Sequence, residues 1–205
     1  MFLISGRLRL KAGRRLVTME RSRIAIICTI GVLAGVSFVL ALFRIPFPIL
    51  TSHKYDLADV PALIGSFTMG PLAGLTIVVV RNVLYMIKDP HPVHFIMNLA
   101  ASGNLVFWAG FIYVHWHSKR GALQGLAVGV VATTCLMVPL NLLVVPHYMG
   151  VPSEKVWTML LPVIIPFNLT KHTLTALATF LLYKQVSRHL PHYRYSQSPL
   201  EAPKQ

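Results

Sequence analysis

FNLTKHTLTALATFLLYK, residues 167–184, is apolar enough to lie in a bilayer, yet Asn168, Lys171 and His172 stand near its start. An ammonium at the centre of a membrane helix costs on the order of 3 kcal/mol on insertion scales. Snorkelling relieves that cost near a helix end. Lys171 is thirteen residues from Lys184, about 20 Å along a helix axis. It lies comparably far from the other end of the segment, so snorkelling relieves it only in part. A polar cavity, a buried partner or a ligand is the expected company of Lys171, and the remainder of the chain has to supply it.

Composition agrees with a membrane setting. Of 205 residues, 55% are hydrophobic and 12% charged, and mean hydropathy is +0.62. Soluble domains carry about 25% charged residues, so half that fraction with long apolar runs marks an integral membrane protein. Cys28 and Cys135 stand far apart in apolar runs, with neither metal-ligand nor redox spacing, and read as small buried hydrophobes. The basic stretch SGRLRLKAGRRLVTMERSR is followed by an apolar run too long for a signal h-region and without a clean cleavage site. No cleavable leader is expected, and Met19 competes with Met1 as the start.

Apolar segments divided by Pro, Gly and charge give six candidate helices, 24–43, 58–69, 71–88, 93–116, 121–146 and 159–187. The second is shorter than the ~20 residues of a full crossing, and Gly70–Pro71 predicts a tight turn into the third. The fold class is therefore an all-α integral membrane protein, a six-helix transmembrane bundle. Residues 1–23 form a basic N-terminal segment, 24–187 the membrane domain and 188–205 a C-terminal tail.

An even number of spans puts both termini on one side. Thirteen of the nineteen Lys and Arg fall on that side, against Arg44, Lys54, Lys88 and Lys155 opposite. By the positive-inside rule the termini are cytoplasmic, in a multi-pass protein of the cell membrane. The net charge of +13 thus reports topology and attraction to anionic lipid rather than nucleic-acid binding.

Polar residues inside the spans are few. Asn168 precedes Lys171 by one turn on the same face. Pro162 and Pro166 predict an irregular start to that helix, which is tolerated at membrane depth where it lines a cavity or is buried in protein. Asn141 sits between Pro139 and Pro146 in MVPLNLLVVPHYMG. Interhelical glue and a hydrogen-bonding site are equal readings of these amides. Arg81–Asn82 lies in the third span, with Arg81 either snorkelling or salt-bridged. Asp59 is expected to cap the second helix, with Asp56 the alternative, and Pro61 in the first turn. Phe47 and Tyr55 in the outer loop could lid a flat ligand. Gly31 and Gly35 in the first helix make a small-xxx-small pair that packs internally or docks a partner helix.

No Walker A loop, HExxH, GxSxG or Cys/His cluster is present, so the chain is not read as an enzyme. All six acids fall in or beside loops, which disfavours self-powered ion-coupled transport. KYDLADVPALIGSFTMGPLAG (54–74), the basic–Asn pair 81–82, PLNLLVVPHY and IIPFNLTKHTLTALATFLLYK together resemble the riboflavin-specific S component of energy-coupling-factor (ECF) transporters over about residues 24–187. That resemblance implies six helices, cytoplasmic termini and an outward-facing flavin cavity capped by the loop between the first two helices. It places Asn141, Asn168 and Lys171 on the vitamin, with Arg81, Asn82 and Tyr55 as further candidates. It also implies a small-xxx-small contact at Gly31 and Gly35 with a transmembrane coupling subunit, which works with two ATPase subunits. Riboflavin would be the transported ligand, with no resident cofactor and no metal. Arg81–Asn82 stands where the family usually has Lys–Asn, and glycines replace the usual alanines at 31 and 35. Another vitamin or FMN, or a purely structural or assembly role, are the alternatives.

Overall fold

A computed structural model describes residues 23–43, 45–47 and 50–186; the basic N-terminal segment, Met19 and the C-terminal tail lie outside them. The chain runs α1 (Arg23–Leu42), β1 (Ile45–Phe47), β2 (Leu50–Tyr55), α2 (Asp59–Met69), α3 (Pro71–Tyr85), α4 (Pro92–His115), α5 (Lys119–Met149), α6 (Ser153–Met159), a π-helical turn (Leu160–Ile164) and α7 (Ile165–Val186). By length and composition α1, α4 and most of α5 can each cross a membrane. The helical bundle expected from hydropathy is present. It also carries an antiparallel hairpin, β1 with β2, in the loop between the first two helices. Pro46 and Pro48 hid that hairpin, because proline argues against a strand in sequence.

α2 has eleven residues, about 16 Å of helix, and every one is buried. It is apolar all round because it is wrapped all round. Leu63 packs with Leu33 of α1, Ile77 of α3, Leu105 of α4 and Leu126 of α5 in one core. Gly70, at φ +97°, makes the turn from α2 to α3 that a side chain would strain. The Ser37 hydroxyl of α1 donates to the Ala58 carbonyl, which ties α1 to the entry of α2.

Glycine sets how closely α4 and α5 approach. A Cβ on Gly125 would sit 2.6 Å from the Ala109 carbonyl oxygen, and one on Gly129 3.0 Å from that of Leu105. GALQGLAVG (121–129) is thus a small-xxx-small seam packed against a neighbouring backbone. The pair at Gly31 and Gly35 differs: nothing lies within 4 Å of a Cβ at either position. Among the described residues that pair does not pack internally. Cys28 and Cys135, expected to be buried, are exposed on the bundle surface, where a membrane-embedded thiol sits as readily as in a core.

Candidate functional site

The starts of α2, α4 and α7 and the ends of α3 and α5 meet at the end of the bundle that carries the hairpin. Arg81, Asp59 and several of the buried amides and hydroxyls of the spans lie towards that end. Arg81, 1% exposed, donates to the Asp59 carboxylate at 2.5 Å and to the Ser102 hydroxyl at 3.0 Å. Ser102 in turn reaches the Asn98 side-chain carbonyl at 3.5 Å. The Asn98 amide donates to Asn82 Oδ1 at 2.8 Å, and the Asn82 amide to the Val78 carbonyl at 2.9 Å. α2, α3 and α4 are therefore cross-linked by a continuous polar network within an otherwise apolar core.

Two expectations from sequence change here. Asp59 does not cap α2: Ala58 occupies that position, and the Ala58 N–H donates to Asp56 Oδ1 at 3.1 Å. Asp56 performs the local turn that frees Asp59 to point inward. Asp59 is also more than a loop-side acid, because at 1% exposure it lies inside the protein, where Arg81 balances its charge. The choice between snorkelling and a salt bridge for Arg81 falls to the salt bridge. A basic residue well inside a span asks for an acid in a neighbouring span, and Asp59 lies at the start of the predicted span 58–69. That signal was present in the sequence.

α7 adds the second half of the site. The π-helical turn before it places the Ile165 N–H on the Leu160 carbonyl, five residues back. It accommodates Pro162 and Pro166, neither of which can donate a backbone bond. The expected irregular start is thus real, and it sets the rotation of the residues that follow. Asn168, His172, Thr175 and Thr179, spaced at four, three and four residues, are all buried along the inward face. Lys171 is half-buried beside this stripe. Its ammonium acts electrostatically on Asp59 and on the His172 ring. Among the described residues it makes no ion pair. Tyr55, at the end of β2, reaches the Thr175 hydroxyl, and burial pushes its phenol up; the Thr175 hydroxyl donates to the Lys171 carbonyl at 3.0 Å. The hairpin is thereby fastened to α7 one turn from Lys171. Of the two lid aromatics, only Tyr55 has a described side chain.

The structure thus joins Arg81 and Asn82 to Asp59, Asn98 and Ser102 in one hydrogen-bonded network. It gathers Tyr55, Thr175 and Lys171 beside that network at α7, and the two groups form a polar assembly coupled electrostatically between Lys171 and Asp59. Asn141 and Asn168 are held differently. Each donates to the carbonyl four residues earlier on its own helix, Met137 at 2.7 Å and Ile164 at 2.8 Å. One amide hydrogen and the side-chain oxygen of each remain for another partner. A cleft between α3 and α4, lined by residues including Asn82, Tyr85, His94 and Asn98, encloses about 260 Å³ counting open solvent. It is a shallow, open cleft, and Asn141, Asn168 and Lys171 do not line it. The candidate site is accordingly the α5–α7 side of the polar assembly rather than this cleft.

Comparison with known proteins matches the same region. The family described as "ECF transporter, substrate-specific component" matches residues 26–183. The riboflavin transporter RibU of Staphylococcus aureus is 29% identical over 186 residues, 87% of this chain and 97% of that protein. The riboflavin transporter FmnP of Bacillus subtilis is 31% identical over 166 residues, 75% of this chain and 87% of its own length. A solved structure of the S component of a bacterial ECF transporter superposes with a TM-score of 0.73 at 28% identity, covering 82% of this chain and 98% of that one. The matched span runs from α1 to α7 and includes the whole polar assembly. The chain therefore belongs to the ECF transporter substrate-specific components, membrane-embedded binding subunits rather than enzymes.

Proposed function

We propose that this chain binds riboflavin at the hairpin end of the bundle and delivers it to an ATP-driven energy-coupling module. The observation that carries the proposal is Lys171, a cation inside the membrane domain without an ion pair among the described residues, one turn from the buried amide of Asn168. Riboflavin suits that arrangement. Its isoalloxazine ring is flat and largely apolar, with a uracil-like edge of donors and acceptors and a hydroxylated tail. Asn141 and Asn168 can each donate and accept, and Lys171 can donate. Tyr55 covers the site from the hairpin, while Arg81 and Asn82 act from behind it by holding Asp59 and Asn98 in place. Relatives over most of the chain are riboflavin transporters, which supports this vitamin above others.

In this arrangement the hairpin faces outward and both termini lie in the cytoplasm, in accord with the distribution of Lys and Arg. Gly31 and Gly35, with open space above both, offer α1 as the surface for a transmembrane coupling subunit. Two ATPase subunits complete the module. The first test is purification in detergent followed by absorption spectroscopy and calorimetric titration with riboflavin, FMN, thiamine and biotin. Selective binding of riboflavin is expected. Equal binding of FMN would broaden the ligand class to phosphorylated flavins, and no binding of any vitamin by a monodisperse, ligand-free sample would refute the assignment.

A further inference from the structure

His172 is fully buried, and neither of its ring nitrogens has a hydrogen-bond partner among the described residues. Its neighbours along the inward stripe of α7 are all served by their own helix. Asn168 donates to Ile164, Thr175 to Lys171 and Thr179 to Thr175, at 2.8, 3.0 and 2.8 Å. Buried polar side chains are almost always paired, and an unpaired one asks for a reason. A leucine would fill the same volume without two unmet polar atoms. The ring follows Lys171 directly in the chain and lies on the buried face of α7 one turn from both Asn168 and Thr175, which places it at the candidate site rather than in a separate part of the core.

Acceptors at the site are few, the side-chain oxygens of Asn141 and Asn168 being the ones left over by the helix. Lys171 has none, and the Asp59 carboxylate is engaged by Arg81. A neutral imidazole supplies one acceptor and one donor on opposite sides of a rigid ring. The acceptor nitrogen can take an imide N–H, and the edge of an isoalloxazine presents one such N–H between two carbonyls.

We infer that His172 is a specificity-determining residue of the candidate site, its unpaired imidazole nitrogen accepting the imide N–H of a bound flavin. The inference rests on the flavin-binding reading above. It also explains why a buried, unpaired ring persists: the residue serves the liganded state at the expense of the empty one.

The test compares riboflavin with its N3-methyl derivative, which lacks that N–H, on the full-length wild type and on His172→Leu and His172→Gln. Thermal unfolding of each unliganded protein is measured in parallel. Wild type is expected to prefer riboflavin by tenfold or more. His172→Leu should bind riboflavin at least tenfold more weakly, bind the two flavins alike, and unfold at or above the wild-type temperature. His172→Gln keeps a donor and an acceptor and should recover part of both affinity and preference. A His172→Leu protein that binds riboflavin within twofold of wild type would overturn the inference. So would equal weakening toward both flavins with the preference kept, or an unliganded variant that unfolds well below wild type. Wild type that binds riboflavin while the variants match it defeats only the role of His172. Wild type that binds no flavin defeats the functional proposal as well.

Discussion

Arg81 and Lys171 are both cations inside the membrane domain, and the structure treats them in opposite ways. Arg81 is 1% exposed and held by Asp59 at 2.5 Å and Ser102 at 3.0 Å. Lys171 is half-buried, senses Asp59 only at a distance and makes no ion pair among the described residues. A planar guanidinium can satisfy several acceptors at once, whereas an ammonium on a flexible stem is a movable point charge. The first arrangement fixes three helices to one another. The second leaves charge and donors unspent at a place where a ligand could use them. Position inside the bilayer therefore does not by itself mark a binding residue; the state of its partners does.

That contrast can be broken most forcefully at the paired cation. Arg81→Ala leaves Asp59 buried and uncompensated, and removal of one partner of a buried pair costs about 3–5 kcal/mol. The variant should lose much of its thermal stability in detergent before any ligand is added. If unfolding were unchanged, the pair would not be the anchor described. At the unpaired cation the expectation reverses. Lys171→Ala should leave unfolding of the empty protein near wild type and weaken riboflavin by about 1.5–3 kcal/mol, the range for hydrogen bonds to charged groups. That is on the order of ten- to 150-fold in Kd.

The two glycine seams sharpen the same distinction between contacts already made and contacts left open. Gly125→Leu forces a side chain into the Ala109 backbone, and overpacking of this kind costs about 1–3 kcal/mol, read by thermal unfolding. Gly31→Leu enters open space and should leave the isolated protein unaltered while reducing its co-purification with a coupling subunit. The smallest effect is expected at the lid. Tyr55→Phe removes one hydroxyl from Thr175, and flavin affinity should fall by about 0.5–1.5 kcal/mol, the net worth of a typical hydrogen bond. Titration beside wild type measures it.

Much of this was legible in the sequence, for reasons that differ from residue to residue. Helices show through hydropathy because a lipid-facing surface must be apolar, and the turn at Gly70–Pro71 shows because few residues can make it. An irregular start to the last helix followed from Pro162 and Pro166, though its π-helical form did not. Asp59 was misread because local capping chemistry and a long-range ion pair use the same carboxylate, and only packing reveals which one takes it. The seam at Gly121, Gly125 and Gly129 was as visible in sequence as the pair at Gly31 and Gly35, but spacing alone does not say which faces a neighbour. His172 stood in plain view beside Lys171. Its lack of partners is a property of three dimensions, because neighbours on α7 and across the core determine it.

The central claim is that Lys171 is held for a ligand rather than for the fold. The most direct measurement is calorimetric titration of riboflavin into wild type and Lys171→Ala, with the thermal unfolding of both empty proteins recorded on the same preparations. The account predicts matched unfolding curves and a loss of at least tenfold in affinity confined to the variant. Unchanged affinity together with a strongly lowered unfolding temperature would contradict it, and would make Lys171 a second structural cation like Arg81.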